Sequence, residues 1–210
     1  MSVLAEILKH KIVAIIRRAD PDDVLKIAEA LHAGGVQLLE VTLNSENAID
    51  VIKQVADAMK DNMEIGAGTV LNEKMAKDAI AAGAKFIISP SFDIKTIQKT
   101  KELGAVSIPG AYTPTEIVNA YNSGGDIIKV FPVSSNVNYV REVRAPLSHI
   151  PLMPTGGISL ENIKEFQKAG AVAFGIGTAL VNTKEKITKE YLTVLTERAR
   201  QFSMAIKESK

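Results

Sequence analysis

Short, nearly all-apolar runs alternate with longer segments of mixed polarity along almost the whole chain. Eight of the runs read as strands: Val13–Arg17, Leu38–Leu43, Glu64–Val70, Phe86–Pro90, Val106–Gly110, Ile127–Phe131, Leu152–Thr155 and Ala173–Gly177. Several are apolar almost throughout, as strands covered on both faces of a parallel sheet should be. The segments between them, such as Pro21–Ala33 and Glu161–Ala169, carry apolar residues at helical spacing. Glycines close five of these helices just before a strand, in Ala33-Gly34-Gly35, Ala82-Gly83-Ala84, Leu103-Gly104-Ala105, Ser123-Gly124-Gly125 and Ala169-Gly170-Ala171. Helix starts are marked by a capping side chain with proline or an acid close behind, at Asp20-Pro21, Asn44-Ser45-Glu46, Asn72-Glu73, Thr113-Pro114 and Ser159-Leu160-Glu161.

Eight strands, seven helices between them, one helix after the last strand and a short one before the first (Ser2–His10) predict an α/β fold of the (β/α)8 TIM-barrel type. An open doubly wound sheet is the alternative. No linker, repeat or shift in composition divides the chain, so residues 1–210 are expected to form one barrel domain. At 210 residues the barrel is a small one, and its loops must be short.

Composition narrows the chemistry by exclusion. The 25 basic and 24 acidic residues leave a net charge of +1, too little for a broad field that would hold nucleic acid or an anionic membrane. With no cysteine, thiolate nucleophiles, disulfides and Cys-ligated metals are absent. The apolar run Val13–Ile16 falls far short of the roughly 18 residues of a membrane span, so a cytoplasmic protein is expected. His10, His32 and His149 have no metal-ligand spacing, and neither a metal nor a cofactor is expected.

In a barrel of this kind the reactive groups sit at the C-terminal ends of the strands. Polar residues inside or just after the runs are few: Arg17, Glu40, Thr42, Asn44, Thr69, Ser89, Lys129 and Thr155. Lys129 stands among Ile127, Ile128, Val130 and Phe131, where an ammonium must be paired or lose its proton. Strand alternation places Phe131 on the same face as Lys129. Glu40, within Leu38-Leu-Glu-Val-Thr-Leu43, is the matching acid, suited either to a structural ion pair or to acid–base work. Thr155-Gly156-Gly157 after the seventh strand and Gly175-Ile-Gly177-Thr178 ending the eighth lie where barrels often hold phosphate on backbone amides. Gly66-Ala-Gly68-Thr69-Val-Leu71 lacks the third glycine of a dinucleotide fingerprint and reads instead as a strand end that presents a threonine.

Taken in order, Leu39-Glu-Val-Thr-Leu43, Gly66-Ala-Gly-Thr-Val-Leu71, Lys129-Val-Phe-Pro132 and Pro154-Thr-Gly-Gly-Ile158 resemble the 2-keto-3-deoxy-6-phosphogluconate (KDPG) and 4-hydroxy-2-oxoglutarate (KHG) aldolase family. The likeness runs from Val13 to about Val181. It implies a metal-independent class I aldolase, usually trimeric, that cleaves a 2-keto-4-hydroxy acid to pyruvate and an aldehyde. By that resemblance Lys129 is the Schiff-base lysine and Glu40 the general acid/base. Thr69 binds the pyruvate part, with Pro90 and Phe131 packed around it. Thr155 touches the substrate chain, and Gly156, Gly157, Gly177 and Thr178 hold the phosphate. One position departs: where the gluconate type often carries an arginine for the substrate carboxylate, this chain has Asn44. Asparagine is similar to the 2-dehydro-3-deoxy-6-phosphogalactonate branch, in which an arginine ending the first strand meets the carboxylate, and Arg17 fits that place. A barrel isomerase or synthase using Lys129 as a charge clamp, or a non-catalytic phosphometabolite-binding protein, are the readings from other classes.

Overall fold

The computed structural model describes residues 2–207. Its elements are α1 (Val3–His10), β1 (Ile12–Ile16), α2 (Pro21–Ala33), β2 (Leu38–Thr42), α3 (Ala48–Met59), β3 (Glu64–Gly68), α4 (Glu73–Ala81), β4 (Phe86–Ile88), α5 (Ile94–Glu102), β5 (Val106–Ile108), β6 (Gly110–Ala111), α6 (Pro114–Asn122), β7 (Ile128–Val130), α7 (Val137–Arg144), β8 (Leu152–Pro154), α8 (Ile163–Lys168), β9 (Phe174–Ile176) and α9 (Lys189–Lys207). Every strand pairing is parallel. The order around the ring is β5-β4-β3-β2-β1-β9 on one arc and β6-β7-β8 on the other.

Both seams close. The sequence reads one fifth strand, Val106–Gly110, where the structure has two segments. Pro109 has no N–H to give the ladder and separates β5 from β6, although its carbonyl still accepts from the Lys129 amide at 2.9 Å. At the other seam Thr155 bridges Gly175, and the Val172 amide donates to the Leu152 carbonyl at 3.0 Å. The result is a barrel rather than an open sheet.

Alternation along the strands sorts the side chains into two layers. Val13, Leu38, Phe86, Ile88, Val106, Ile108, Ile127, Met153 and Ala173 form the inner cluster, and Ile7 of α1 joins it as a plug. Their neighbours Ala14, Leu39, Ile87, Ile128 and Leu152 belong instead to the layer beneath the helices. Because the inner plug is apolar, polar inward positions are left only toward the C-terminal ends of the strands.

The five predicted helix stops hold: Gly35, Gly83, Gly104, Gly124 and Gly170 have φ between +78° and +111°, left-handed values that disfavour any residue with a Cβ. Asp20, Asn72 and Thr113 cap their helices, Thr113 in a reciprocal capping box with Glu116. Two starts differ from expectation. α3 begins at Ala48 rather than at Asn44-Ser45-Glu46, because Ser45 spends its hydroxyl on the Arg18 amide. α8 begins at Ile163, because the Asn162 side chain folds back onto the Ser159 amide and the Gly157 carbonyl. Among the described residues no helix is long and apolar enough to cross a membrane.

Candidate active site

Lys129 is the central residue of β7. Ile128 and Val130 point outward into the layer beneath the helices, so Lys129 points inward, where it is 2% exposed. Its Nζ lies 5.0 Å from the centre of the Phe131 ring, the same-face neighbour that alternation predicts. The Phe131–Pro132 peptide is cis.

Glu40 points inward from β2, in register with Ile15 of β1 and Gly66 of β3. It is fully buried, and neither carboxylate oxygen has a hydrogen-bond partner among the described residues. The neighbouring strand makes room for it. A Cβ at Gly68 would stand 1.7 Å from Glu40 Oε1, and a Cβ at Gly66 would stand 2.2 Å from the Phe86 ring. The Gly66-Ala-Gly68 spacing is thus a clearance for one catalytic candidate and one core aromatic.

The electrostatics follow from burial. Loss of water pushes the Glu40 carboxyl above the usual carboxylate range, and the positive charges of Lys129 and Arg17 only oppose that. Loss of water likewise pushes the Lys129 ammonium below the usual lysine range. Glu40 opposes the fall and the like charge of Arg17 adds to it. Both directions favour an uncharged pair, an amine nucleophile beside a carboxylic acid able to give up a proton.

Phe131, against whose ring Lys129 rests, also lines a cavity of about 500 Å³ whose other walls include Arg17, Thr155, Gly156, Gly157, Gly177 and Thr178, whereas Lys129 and Glu40 themselves are not among its lining residues. Seven sequence-predicted residues therefore meet around one opening. Thr155 is buried, and its hydroxyl occupies space that a Cβ at Gly175 would fill, at 2.3 Å. Gly156 and Gly157 are both left-handed, at φ +95° and +76°. The Gly157 carbonyl is pinned by the Ser135 hydroxyl at 2.8 Å and Asn162 Nδ2 at 2.7 Å. Beyond β9, the Gly177 carbonyl accepts from the amides of Leu180 and Val181, both at 2.9 Å, which curls residues 177–181 into one turn. The amides of Gly157, Thr178 and Ala179 make no hydrogen bond among the described residues, so two facing loops offer free donors to an anion.

Arg17 is exposed at the rim, with no ion pair to its guanidinium among the described residues. Thr69 and Pro90 do not line this cavity. Both are half-buried and follow β3 and β4, two and three strands round the ring from β1, and Thr69 has φ +58°. Arg18, next to Arg17, lines the cavity, as does Lys184 from the loop after β9. The signal for Lys184 is its place in the loop after the last strand. The histidines stay outside: His10 pairs with Glu6 at 3.1 Å and His149 meets Tyr121 edge-on. Among the described residues no three His, Cys, Asp or Glu side chains are grouped to hold a metal.

Residues 3–196 match the family model described as KDPG and KHG aldolase. A 2-dehydro-3-deoxy-phosphogluconate aldolase of Pseudoalteromonas atlantica is 37% identical over 157 residues, 74% of this chain and 73% of that protein. A 2-dehydro-3-deoxy-6-phosphogalactonate aldolase of Escherichia coli is 30% identical over 183 residues, 86% of this chain and 89% of that protein. Among solved structures, KDPG aldolase from Legionella pneumophila, with pyruvate captured at low pH as a covalent carbinolamine intermediate, superposes with a TM-score of 0.85. It is 27% identical, with 95% of this chain and 97% of that one covered.

Proposed function

Because the chain belongs to the KDPG and KHG aldolase family, we propose that it cleaves 2-keto-3-deoxy-6-phosphogluconate reversibly to pyruvate and glyceraldehyde 3-phosphate, through a Schiff base on Lys129. The observation that carries this reading is a lysine almost devoid of solvent, its ammonium destabilised by burial, beside a buried carboxyl with no hydrogen-bond partner among the described residues and against Phe131, which lines a cavity bordered by free backbone amides.

The steps follow from those groups. The uncharged Lys129 amine attacks the C2 ketone, and the carbinolamine loses water to give an iminium. Glu40, acting through a water, supplies the proton with which the carbinolamine hydroxyl leaves, and as the resulting carboxylate it then takes the proton of the C4 hydroxyl. The C3–C4 bond then breaks, its electron pair moving to the iminium nitrogen, so that the aldehyde leaves and an enamine remains. Protonation at C3 and hydrolysis release pyruvate and restore the amine. Phe131 walls the amine from water, while Gly156, Gly157, Gly177 and Thr178 carry the phosphate on backbone donors. Arg17 takes the keto-acid carboxylate as a bidentate guanidinium partner.

Unphosphorylated 4-hydroxy-2-oxoglutarate, giving pyruvate and glyoxylate, is a second substrate of the same chemistry. The galactonate epimer is the competing reading, favoured by Asn44, which lies exposed in the turn after β2 and supplies no cation there, whereas Arg17 stands at the cavity rim. A pyruvate-release assay on the gluconate-derived, galactonate-derived and unphosphorylated acids separates the three. Lys129→Arg, which keeps the charge and forms no imine, should abolish all of them. Turnover by Lys129→Arg would favour a barrel enzyme that uses the cation only as a clamp.

A further inference from the structure

We propose that Ser45 and Thr183 are positioning residues for the arginine at the end of β1, acting by holding one peptide unit, the one that joins Arg17 to Arg18. The inference rests on the reading of Arg17 as the carboxylate ligand. The Thr183 hydroxyl donates to the Arg17 carbonyl at 2.8 Å, and the Arg18 amide donates to Ser45 Oγ at 2.8 Å. These are the two polar ends of a single planar group, so fixing both fixes its plane. The two hydroxyls reach it from opposite sides, one from the loop after β9 and the other from the loop after β2.

Each support is itself anchored. Ser45 Oγ meets the hydroxyl of Thr42, at the end of β2 and fully buried, at 3.0 Å. The residue before Thr183 is tied to α9 twice, its amide donating to the Tyr191 hydroxyl at 2.9 Å and its carbonyl accepting from that hydroxyl at 3.2 Å. The restraint has something to restrain: Arg18 lies at φ +56°, a left-handed conformation that a residue with a Cβ leaves readily. Arg17 is a long side chain whose guanidinium has no partner among the described residues, so its direction over the cavity is inherited from its backbone. Arg17, Arg18 and Thr183 all line that cavity.

The test is steady-state aldol addition with pyruvate as the varied substrate. Ser45→Ala and Thr183→Val should each raise the KM for pyruvate by about tenfold while kcat changes far less, as a modest misplacement of a binding group would. Ser45→Thr and Thr183→Ser, which keep the hydroxyls, should restore the native KM. In an Arg17→Ala background, Ser45→Ala should add nothing. A KM unchanged by Arg17→Ala overturns the carboxylate assignment and the clamp with it. A KM raised by Arg17→Ala but untouched by Ser45→Ala and Thr183→Val overturns the clamp alone. So does a further rise from Ser45→Ala once Arg17 is gone, since the hydroxyl would then act elsewhere. If Ser45→Ala does not fold, Thr183→Val carries the test by itself.

Discussion

Replacing Gly68 with alanine perturbs the site first through the carboxyl of Glu40, to which the three atoms nearest the new methyl belong. The backbone of Gly68 is not left-handed, so an L residue is allowed there. The new methyl, however, would lie 1.7 Å from Oε1, 2.3 Å from Cδ and 2.6 Å from Cγ of Glu40. Ordinary contact begins near 3.4 Å, and the carboxyl must withdraw by more than an ångström or turn to another rotamer. Overpacking of this kind costs about 1–3 kcal/mol of stability, and a misplacement of about 1 Å in a reacting group costs about 100-fold in rate. We therefore expect Gly68→Ala to fold and to lose at least about 100-fold in kcat for pyruvate release, with a stability loss in the stated range by urea denaturation. The clash also predicts coupling. In a Glu40→Ala background the same substitution should cost almost no stability, since the space is vacated. A Gly68→Ala enzyme with native kcat would mean that the carboxyl can leave its position without consequence, and Glu40 would then have no catalytic part.

The depressed Lys129 ammonium sets the pH dependence: kcat/KM should rise with pH and level off well before the roughly 10.4 of a free lysine. Because the Arg17 charge adds to that depression, Arg17→Ala should move the rising limb to higher pH; a shift the other way contradicts the electrostatics. The linkage to stability has two signs. Lys129 is deprotonated more easily folded than unfolded, so its burial cost is full at low pH and relieved as pH rises toward the unfolded value. Glu40 is protonated more readily folded than unfolded, so its cost is absent at acid pH and grows as pH climbs through its raised folded value. Removing both in Lys129→Met/Glu40→Met should abolish activity yet leave stability near pH 7 unchanged or higher, by up to about 4 kcal/mol. A large loss of stability would instead make the pair structural. Gly157→Ala, which needs φ +76° and sets a Cβ 2.4 Å from Ser135 Oγ, should raise the KM for a phosphorylated substrate more than that for 4-hydroxy-2-oxoglutarate. Equal effects on both would argue against phosphate binding at that loop.

Much of the fold was legible because a closed parallel sheet buries its strands on both faces, which makes each polar interruption conspicuous. Lys129 and Glu40 announce themselves for that reason, and the helix-ending glycines do so because left-handed φ values select glycine. What escaped reading depends on neighbours distant in sequence. Nothing local to Gly66 and Gly68 indicates that their missing side chains are filled by Phe86 and Glu40. Ser45 resembles a helix cap until its hydroxyl is found on the Arg18 amide, and Asn47 then takes a left-handed turn before α3 begins. The break at Pro109 is visible as a proline, yet only the ring shows that the strand continues past it. Lys184 follows the last strand, beyond the strand ends where polar residues are conspicuous, and only the closed barrel brings it to the cavity wall beside Arg17.

The proposed chemistry requires Lys129 to bond covalently to the ketone carbon of the keto acid. Borohydride reduction in the presence of pyruvate, followed by peptide mass analysis, tests it directly. Irreversible inactivation is expected, with a single modified peptide carrying the reduced pyruvyl group on Lys129 and no such adduct in Lys129→Arg. An unmodified Lys129 in folded, pyruvate-saturated protein, or an adduct on another lysine, would contradict that chemistry.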